Sequence, residues 1–439
     1  MLSLTDTETF MEPKQSESTH WTTAQKIAFR FLFIYFLLYI FVNPNGAVPF
    51  GEALYKYYSI PFHDIAIWMG AHLLNLAKPI TVFTNGSGDT TYDYVIILLN
   101  IIVSAVGSII WSVTGKRTAH YNKLYYWFTT ILRYYILLTM FSYGMAKVIK
   151  LQFPYPSPGR MLQTYGNSSP MGLAWTFFGY STWYNYFTGF AEILACVLLF
   201  FRRTYVLGAV VTFIVATNIM AINYCFDVPV KLLSTHLVLM SLVLLSRHLV
   251  RLLNFFFLNR TALPADLTPH RFRSSWKNIT LLVVRLLLLV YMAMGVFETI
   301  GASKQYGDKA PKAPLYGAYE VLTFKRNKDT LPPLTTDTIR WKILMINYPG
   351  NARIKLMNDS TRNYDFTVDT TQKNIQMLTS DNVPRKYFLR YSLIKPDLLQ
   401  IKGTGPTDSI NITLRRLDAK KFLLTQRGFH WVNEYPFSR

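Results

Sequence analysis

The constraint that dominates this sequence is a series of apolar runs, each close to the length that crosses a bilayer. A hydrocarbon core about 30 Å thick needs roughly 20 helical residues. The runs 27–42, 94–113, 125–145, 186–201, 206–222, 231–245 and 279–296 reach that length once their flanks are counted. Inside lipid each backbone amide and carbonyl must find its partner within the segment, so runs of this kind fold as helices. About seven spans follow. The stretch 49–80 scatters Tyr55, Tyr58, His63, Trp68 and Lys78 among apolar positions. It is too polar to span and reads as an amphipathic helix in the outer interface.

Loop charges orient the spans. With the N-terminus inside, the inner loops carry Lys116, Arg117 and Lys123, then Arg202 and Arg203, then a basic group from Arg247 through Arg251, Arg260, Arg271 and Arg273 to Lys277. The outer loops have few cations, among them Lys56, Lys78 and Arg160. Lysine and arginine accumulate on the cytoplasmic side. A cytoplasmic N-terminus is therefore expected, with everything after about residue 301 outside. Residues 1–23 are polar and rich in Ser and Thr and read as a disordered cytoplasmic tail.

A helical membrane domain over 24–301 and a separate domain over 302–439 fit the composition, which is 51% hydrophobic yet 16% charged. The net charge of +21 raises the question of nucleic acid, but +11 of it lies in 301–439 (23 Lys and Arg against 12 Asp and Glu), and most of the rest flanks apolar runs. No RNP-type, zinc-finger or basic-helix pattern accompanies it, so the charge reads as topology signal and attraction to anionic headgroups.

From Tyr316 the hydrophobic period changes to two. Ile339, Trp341, Ile343 and Met345 alternate, as do Tyr364, Phe366 and Val368, then Tyr387, Leu389, Tyr391 and Leu393, then Leu399 and Ile401, then Ile410, Ile412 and Leu414. Pro349-Gly350-Asn351, Asn358-Asp359, Lys395-Pro396-Asp397 and Gly403 to Pro406 supply turns between them. About nine short strands predict an antiparallel barrel or sandwich, with an up-and-down barrel of lipocalin type as first choice.

Polar residues within the spans are the candidates for chemistry. Glu192 sits mid-run in 185–203, where an ionisable group costs at least ~2.5–3.5 kcal/mol to insert. Arg133 and Lys147 are fourteen residues apart, near four helical turns, and share a face. Asn218, Asn223 and Asp227 run toward the outer end of the next helix, followed by Lys231 and His236, and Arg285 and Glu298 lie on the last span. Mixed signs suit a paired internal cluster. Two readings stay open: a polar pocket in the outer half of the bundle that holds a polar head such as a quinone carbonyl, or an acid that pins two helices by an ion pair while the terminal cations snorkel.

Other chemistries find little support. Cys196 and Cys225 are expected at depths about 10 Å apart and no CxxC occurs, so they read as unbridged buried apolar residues. Only His236 lies well within a span, which leaves bis-histidine haem without its second ligand, and no metal site is expected. P-loop, dinucleotide and GxSxG patterns are absent, and Ser168-Ser169-Pro170 reads as a turn.

The run Tyr143-Gly144-Met145-Ala146-Lys147, then Gln152-Phe153, Ser169-Pro170-Met171, Trp175 and Phe178-Gly179-Tyr180-Ser181, then Phe190-Ala191-Glu192 and Asp227-Val228-Pro229-Val230-Lys231, resembles the DoxX-like family of small bacterial membrane proteins over roughly 125–260. The resemblance implies a four-helix core, linked in some members to thiosulfate:quinone oxidoreduction or thiol-redox complexes; the missing cysteine pair speaks against a direct thiol role. The C-terminal Arg427-Gly428-Phe429-His430-Trp431-Val432-Asn433-Glu434 is similar to tails of long DoxX-like proteins and on its residues alone reads as a closing strand and cap.

Two functions are expected from these residues. One is a redox-associated, quinone-linked accessory or subunit with a ligand-binding set of Glu192, Asn218, Asn223, Lys147, His236, Arg133, Asp227 and Lys231. The other is a non-enzymatic membrane protein that binds lipid, another ligand or an envelope partner, its barrel then enclosing an apolar cavity unless Trp341, Phe366 and Tyr391 fill it. Membrane lipid is the constant partner in both, and nucleic acid in neither.

Overall fold

A computed structural model of the 439-residue chain describes residues 21–49, 51–83, 85–115, 118–262, 272–379 and 384–438. Most of the expected N-terminal tail and the loop cations Lys116, Arg117 and Arg271 lie outside the described residues. The chain divides into two compact units, 1–148 with 186–298, and 149–185 with 299–439. The segment 149–185 thus groups with the C-terminal β structure, although in sequence it interrupts the helices.

The first unit contains α1 (Thr23–Val42), α2 (Gly51–His72), α3 (Thr91–Thr114), α4 (Asn122–Val148) and, after the intervening segment, the greater part of α7 (Thr182–Phe200). It continues with α8 (Tyr205–Cys225), α9 (Lys231–Leu245), α10 (Leu249–Phe256) and most of α11 (Ser275–Ser303). Local chemistry sets the helix starts. Thr22 with Gln25, and Thr90 with Asp93, form reciprocal capping boxes that satisfy amides left open at the N-termini of α1 and α3. Order therefore begins before residue 23: Trp21 packs edge-on against Phe29 and donates to Asn122 Oδ1 at 2.8 Å.

Among the described residues, six helices are long and apolar enough to cross a membrane: α1, α3, α7, α8, α9 continued through α10, and α11. The seventh expected span, α4, is 27 residues long, about 40 Å at 1.5 Å per residue. It is less apolar and well enclosed, burying Phe128, Leu132, Ile136, Leu137 and Met140 beside Arg133 and Lys147. A helix surrounded by protein does not need a lipid-compatible face. The hydropathic core of α11 is at the opposite limit, with none of its apolar window buried. Arg285 and Glu298 are accordingly exposed and take no part in an internal cluster.

Close helix contact in lipid depends on small residues. On α3 the buried Asn100, Ser104 and Ser108 recur every four residues; Ser108 Oγ reaches the Ile27 carbonyl of α1 at 3.4 Å. The 49–80 stretch contains α2, which carries Pro61 in its interior.

In the second unit, α5 (Pro158–Met161) and α6 (Pro170–Tyr180) precede the strands. Ser169 is the N-cap of α6, its Oγ accepting from Gly172 N at 3.1 Å with Pro170 in the first turn, so the Ser-Ser-Pro turn is a helix start. The strands are β1 (Gly317–Arg326), β2 (Asp329–Thr330), β3 (Trp341–Tyr348), β4 (Gly350–Leu356), β5 (Thr361–Asp369), β6 (Asn374–Thr379), β7 (Lys386–Lys395), β8 (Leu398–Thr404) and β9 (Ser409–Arg416). All neighbours are antiparallel and sequential, and β9 returns to pair with β1. With β2 a two-residue arm on β1, this is an eight-stranded up-and-down barrel.

Alternation places Val321 and Phe324, Trp341, Leu344 and Ile346, Ile354 and Leu356, Tyr364 and Phe366, Ile375 and Met377, Leu399 and Ile401, and Ile412 and Leu414 in one buried core. The expected phase of β3 is corrected. A register shift between Trp341 and Ile343 moves the inward set to Leu344 and Ile346, and Ile339 is exposed. Met345 is buried outside that core, on a strand that the segment 149–185 contacts: Gly159 N donates to Asn347 Oδ1 at 3.0 Å. Leu393, beside an irregularity in β7, is likewise exposed rather than inward.

The barrel is filled. A hollow of about 140 Å³ lined by Ala313, Ile346, Phe366 and Val368 lies at one mouth, below the few hundred Å³ a lipid-sized ligand occupies. A larger hollow, about 500 Å³, is on the outer face and lined by Gln376, Phe388, Arg390 and Lys402. Trp341 and Phe366 lie in the buried barrel core, with Tyr391 partly buried against it. The tail past α12 (Leu423–Gln426) is also corrected: its described residues form no strand, the closing strand being β9, and Phe429, Trp431, Val432 and Tyr435 are exposed.

Candidate functional site

The site with the greatest electrostatic demand is where α4 meets α7. Gly144 and Gly189 bring the two backbones together, since a Cβ on either would come within 2.9 Å of the other's carbonyl oxygen. One turn beyond each glycine stands a charge. Lys147 Nζ donates to Glu192 Oε1 at 2.6 Å, with the residues 6% and 1% exposed. The arrangement is reciprocal: Lys147 packs by Gly189 and Glu192 by Gly144, as antiparallel helices require. Without a Cβ on either glycine the short lateral distance lets both side chains meet within the bundle. The other carboxylate oxygen, Glu192 Oε2, is shut from solvent and has no hydrogen-bond partner. The Tyr143 ring lies 5.8 Å from Lys147 Nζ and borders the pair.

The remaining candidates fall elsewhere. No hydrogen bond or ion pair joins Glu192 to Arg133, Asn218, Asn223, Asp227, Lys231 or His236. His236 is buried on α9 with both ring nitrogens occupied. Its Nδ1 is 2.6 Å from the Leu232 carbonyl, which can only accept, so Nδ1 carries the hydrogen and Nε2 accepts from the Tyr35 hydroxyl at 2.8 Å. The imidazole also stacks on Tyr39, with centroids 3.7 Å apart. It is a satisfied core histidine rather than a free ligand.

Asn223 closes the α8–α9 turn, donating to Val230 O at 3.2 Å and Ser234 Oγ at 3.0 Å. Asp227, in the left-handed backbone region at φ +51°, is exposed and pairs with Lys231 at 2.8 Å. Asn218 is exposed on α8. Arg133 lies about 21 Å along α4 from Lys147, given the helical rise, and rests against Tyr134 and Tyr205. The single pocket expected from sequence is thus corrected to one buried ion pair, one satisfied histidine, one helix-start network and one separate arginine.

Sequence reasoning overlooked Asp89. Its carboxylate accepts from Lys231 N at 2.7 Å and Leu232 N at 3.0 Å, capping α9 from the loop before α3. An acid immediately ahead of the Thr90–Asp93 capping box was the only local signal. Tyr35 and Tyr39, which enclose His236, were also overlooked; their spacing of four on α1 was the available clue. Arg30 is buried rather than at the headgroups, donating to Tyr121 Oη at 2.8 Å and Ser112 Oγ at 2.7 Å.

Fold and site together define a polytopic helical membrane protein that carries a closed, packed β-barrel. Compared with known proteins, 113 residues in its N-terminal part are 47% identical to the uncharacterized protein YwoB of Bacillus subtilis (strain 168), covering 26% of this chain and 71% of YwoB. The chain belongs to the YwoB family. No protein-family profile matches it. No solved structure matches it either.

Proposed function

We propose that the protein is a DoxX-like, quinone-linked accessory of the bacterial inner membrane, with a cytoplasmic N-terminus and a periplasmic barrel, and that the Lys147–Glu192 pair receives the hydroxylated head of a quinol. The observation that carries this reading is Glu192 Oε2, a buried carboxylate oxygen with an unfilled acceptor position. A buried acceptor of this kind favours a donor. A quinol hydroxyl supplies one, while Lys147 donates to Glu192 Oε1 and Tyr143 offers an aromatic wall. The role proposed for the pair is binding and orientation.

Quinones extracted from the purified full-length protein test this. The wild type should carry quinone in stoichiometric proportion, and Glu192→Gln should lose most of it while Arg285→Gln, on exposed α11, keeps it. Absence of quinone from the wild type, or equal content in Glu192→Gln, would falsify the reading. A second reading, a non-enzymatic membrane protein that meets an envelope partner through its barrel, is favoured by the Gly144–Gly189 contact, which makes the pair a helix pin. It predicts lost thermal stability in Glu192→Gln with no quinone in any form of the protein.

A further inference from the structure

A group of cations collects at the end of the helical unit where α7 turns into α8 and α9 gives way to α10. Arg133 of α4 faces the Tyr205 ring, Arg202 stands three residues before Tyr205 in the turn, and Arg251 stands three residues after His248, whose Nε2 is 2.5 Å from the Tyr205 hydroxyl. The Arg133 guanidinium carbon is 5.9 Å from the Tyr205 ring centre. Each arginine has one nitrogen that is shut from solvent and finds no acceptor: Arg133 Nε, Arg202 Nε and Arg251 Nη1. Arg202 uses Nη1 on Tyr126 Oη at 2.7 Å. Among the described residues no carboxylate forms an ion pair with any of the three.

Arg133 is buried and Arg202 and Arg251 are half-buried, so a nitrogen on each that is shut from solvent calls for an acceptor, and guanidinium groups are shaped to bind oxyanions. One bidentate arginine largely satisfies a carboxylate, whereas three guanidinium groups from three elements suit the tetrahedral oxygens of a phosphate. Exposed Phe201, Leu207 and Val250 flank the group and offer apolar surface for acyl chains. We propose that Arg133, Arg202 and Arg251 form a phosphate-binding site. Its occupant is a phosphate group, supplied by the head of an anionic phospholipid or by free inorganic phosphate. The site is independent of the Lys147–Glu192 pair.

The test uses full-length protein in nanodiscs of phosphatidylcholine with or without phosphatidylglycerol, native mass spectrometry of retained lipid, and a thermal melt titrated with inorganic phosphate against chloride at equal ionic strength. Retained phosphatidylglycerol without a phosphate response assigns the site to a lipid head. A melt raised by phosphate without lipid retention assigns it to free phosphate. Arg202→Gln and Arg251→Gln should each weaken whichever binding is seen by about tenfold, the value of one charge-assisted hydrogen bond. Arg285→Gln should leave it unchanged. Wild-type protein that prefers neither phosphatidylglycerol nor phosphate overturns the site without any variant having to fold, as does equal binding in wild type and both arginine variants.

Discussion

Removing Lys147 while leaving Glu192 should be among the most damaging single changes to the helical unit. At 2.6 Å and an effective dielectric near 20, the attraction between the two charges is roughly 6 kcal/mol before any relaxation. Both residues are nearly inaccessible, so water cannot replace the lost partner. Glu192 would then have neither Lys147 on Oε1 nor any donor on Oε2. Breaking one side of a buried pair typically costs about 3–5 kcal/mol, whereas replacing both sides by apolar residues of similar volume is often neutral. Lys147→Met is therefore expected to lose about 3–5 kcal/mol, and Lys147→Met combined with Glu192→Leu to recover most of it. The assay is reversible unfolding of the full chain in mixed micelles, run as a double-mutant cycle. A loss below about 1 kcal/mol in Lys147→Met, or strict additivity of the two changes, would refute a coupled buried pair.

Three further outcomes follow from other parts of the molecule. Asp89→Ala should cost about 1–2 kcal/mol, the loss of a strong helix cap, and hydrogen exchange should rise first at Lys231 and Leu232; exchange that stays unchanged there contradicts the cap. Arg340 is buried at the start of β3 and donates to the Leu331 carbonyl at 3.1 Å with weaker contacts to Val321 and Leu322. Arg340→Met should cost about 1–3 kcal/mol by stranding these acceptors, read as faster exchange in β1 and β3. Lys342 first, then Lys355, hold the Asp359 carboxyl below the ordinary carboxylate range. Because the folded value is depressed, the contribution is present above the unfolded pKa near 3.8 and disappears as pH falls through the lower folded value. Asp359→Asn should thus lower the barrel's melting point slightly at neutral pH and not at all below that acid range, with high salt removing the difference; a pH-independent difference contradicts the pairing.

Much of the architecture was legible because it rests on local, periodic signals. The apolar runs of α1, α3, α7, α8, α9 and α11 report their own length, and the period of two from Tyr316 onward reports strands whatever they pair with. Turn residues such as Pro349-Gly350-Asn351 marked hairpins because their backbone preferences are local. Errors arose where one residue shifts phase. The bulge at Trp341–Ile343 reverses the faces of β3 downstream, and nothing in the alternation of Ile343 and Met345 announces it. The candidate site was legible only as an inventory. Glu192 and Lys147 stood out as charges in apolar helices, but so did Arg133, Asp227 and Glu298, and sequence distance does not rank them.

What the sequence determined by itself is the class of structure: helices of membrane-spanning length, then an antiparallel β domain, since both follow from period and length. What only the tertiary structure decided is which polar groups meet. Lys147 reaches Glu192 because Gly144 and Gly189 let two helices approach closely, and that approach depends on atoms 45 residues apart in the chain. Asp89 caps α9 across 142 residues, and Arg133 of α4 and His248, just before α10, both meet Tyr205 at the start of α8. The physical reason is the same in each case: hydropathy and periodicity are sums over neighbours in sequence, whereas a buried charge is stabilised or left wanting by whichever group packing brings within about 3 Å of it.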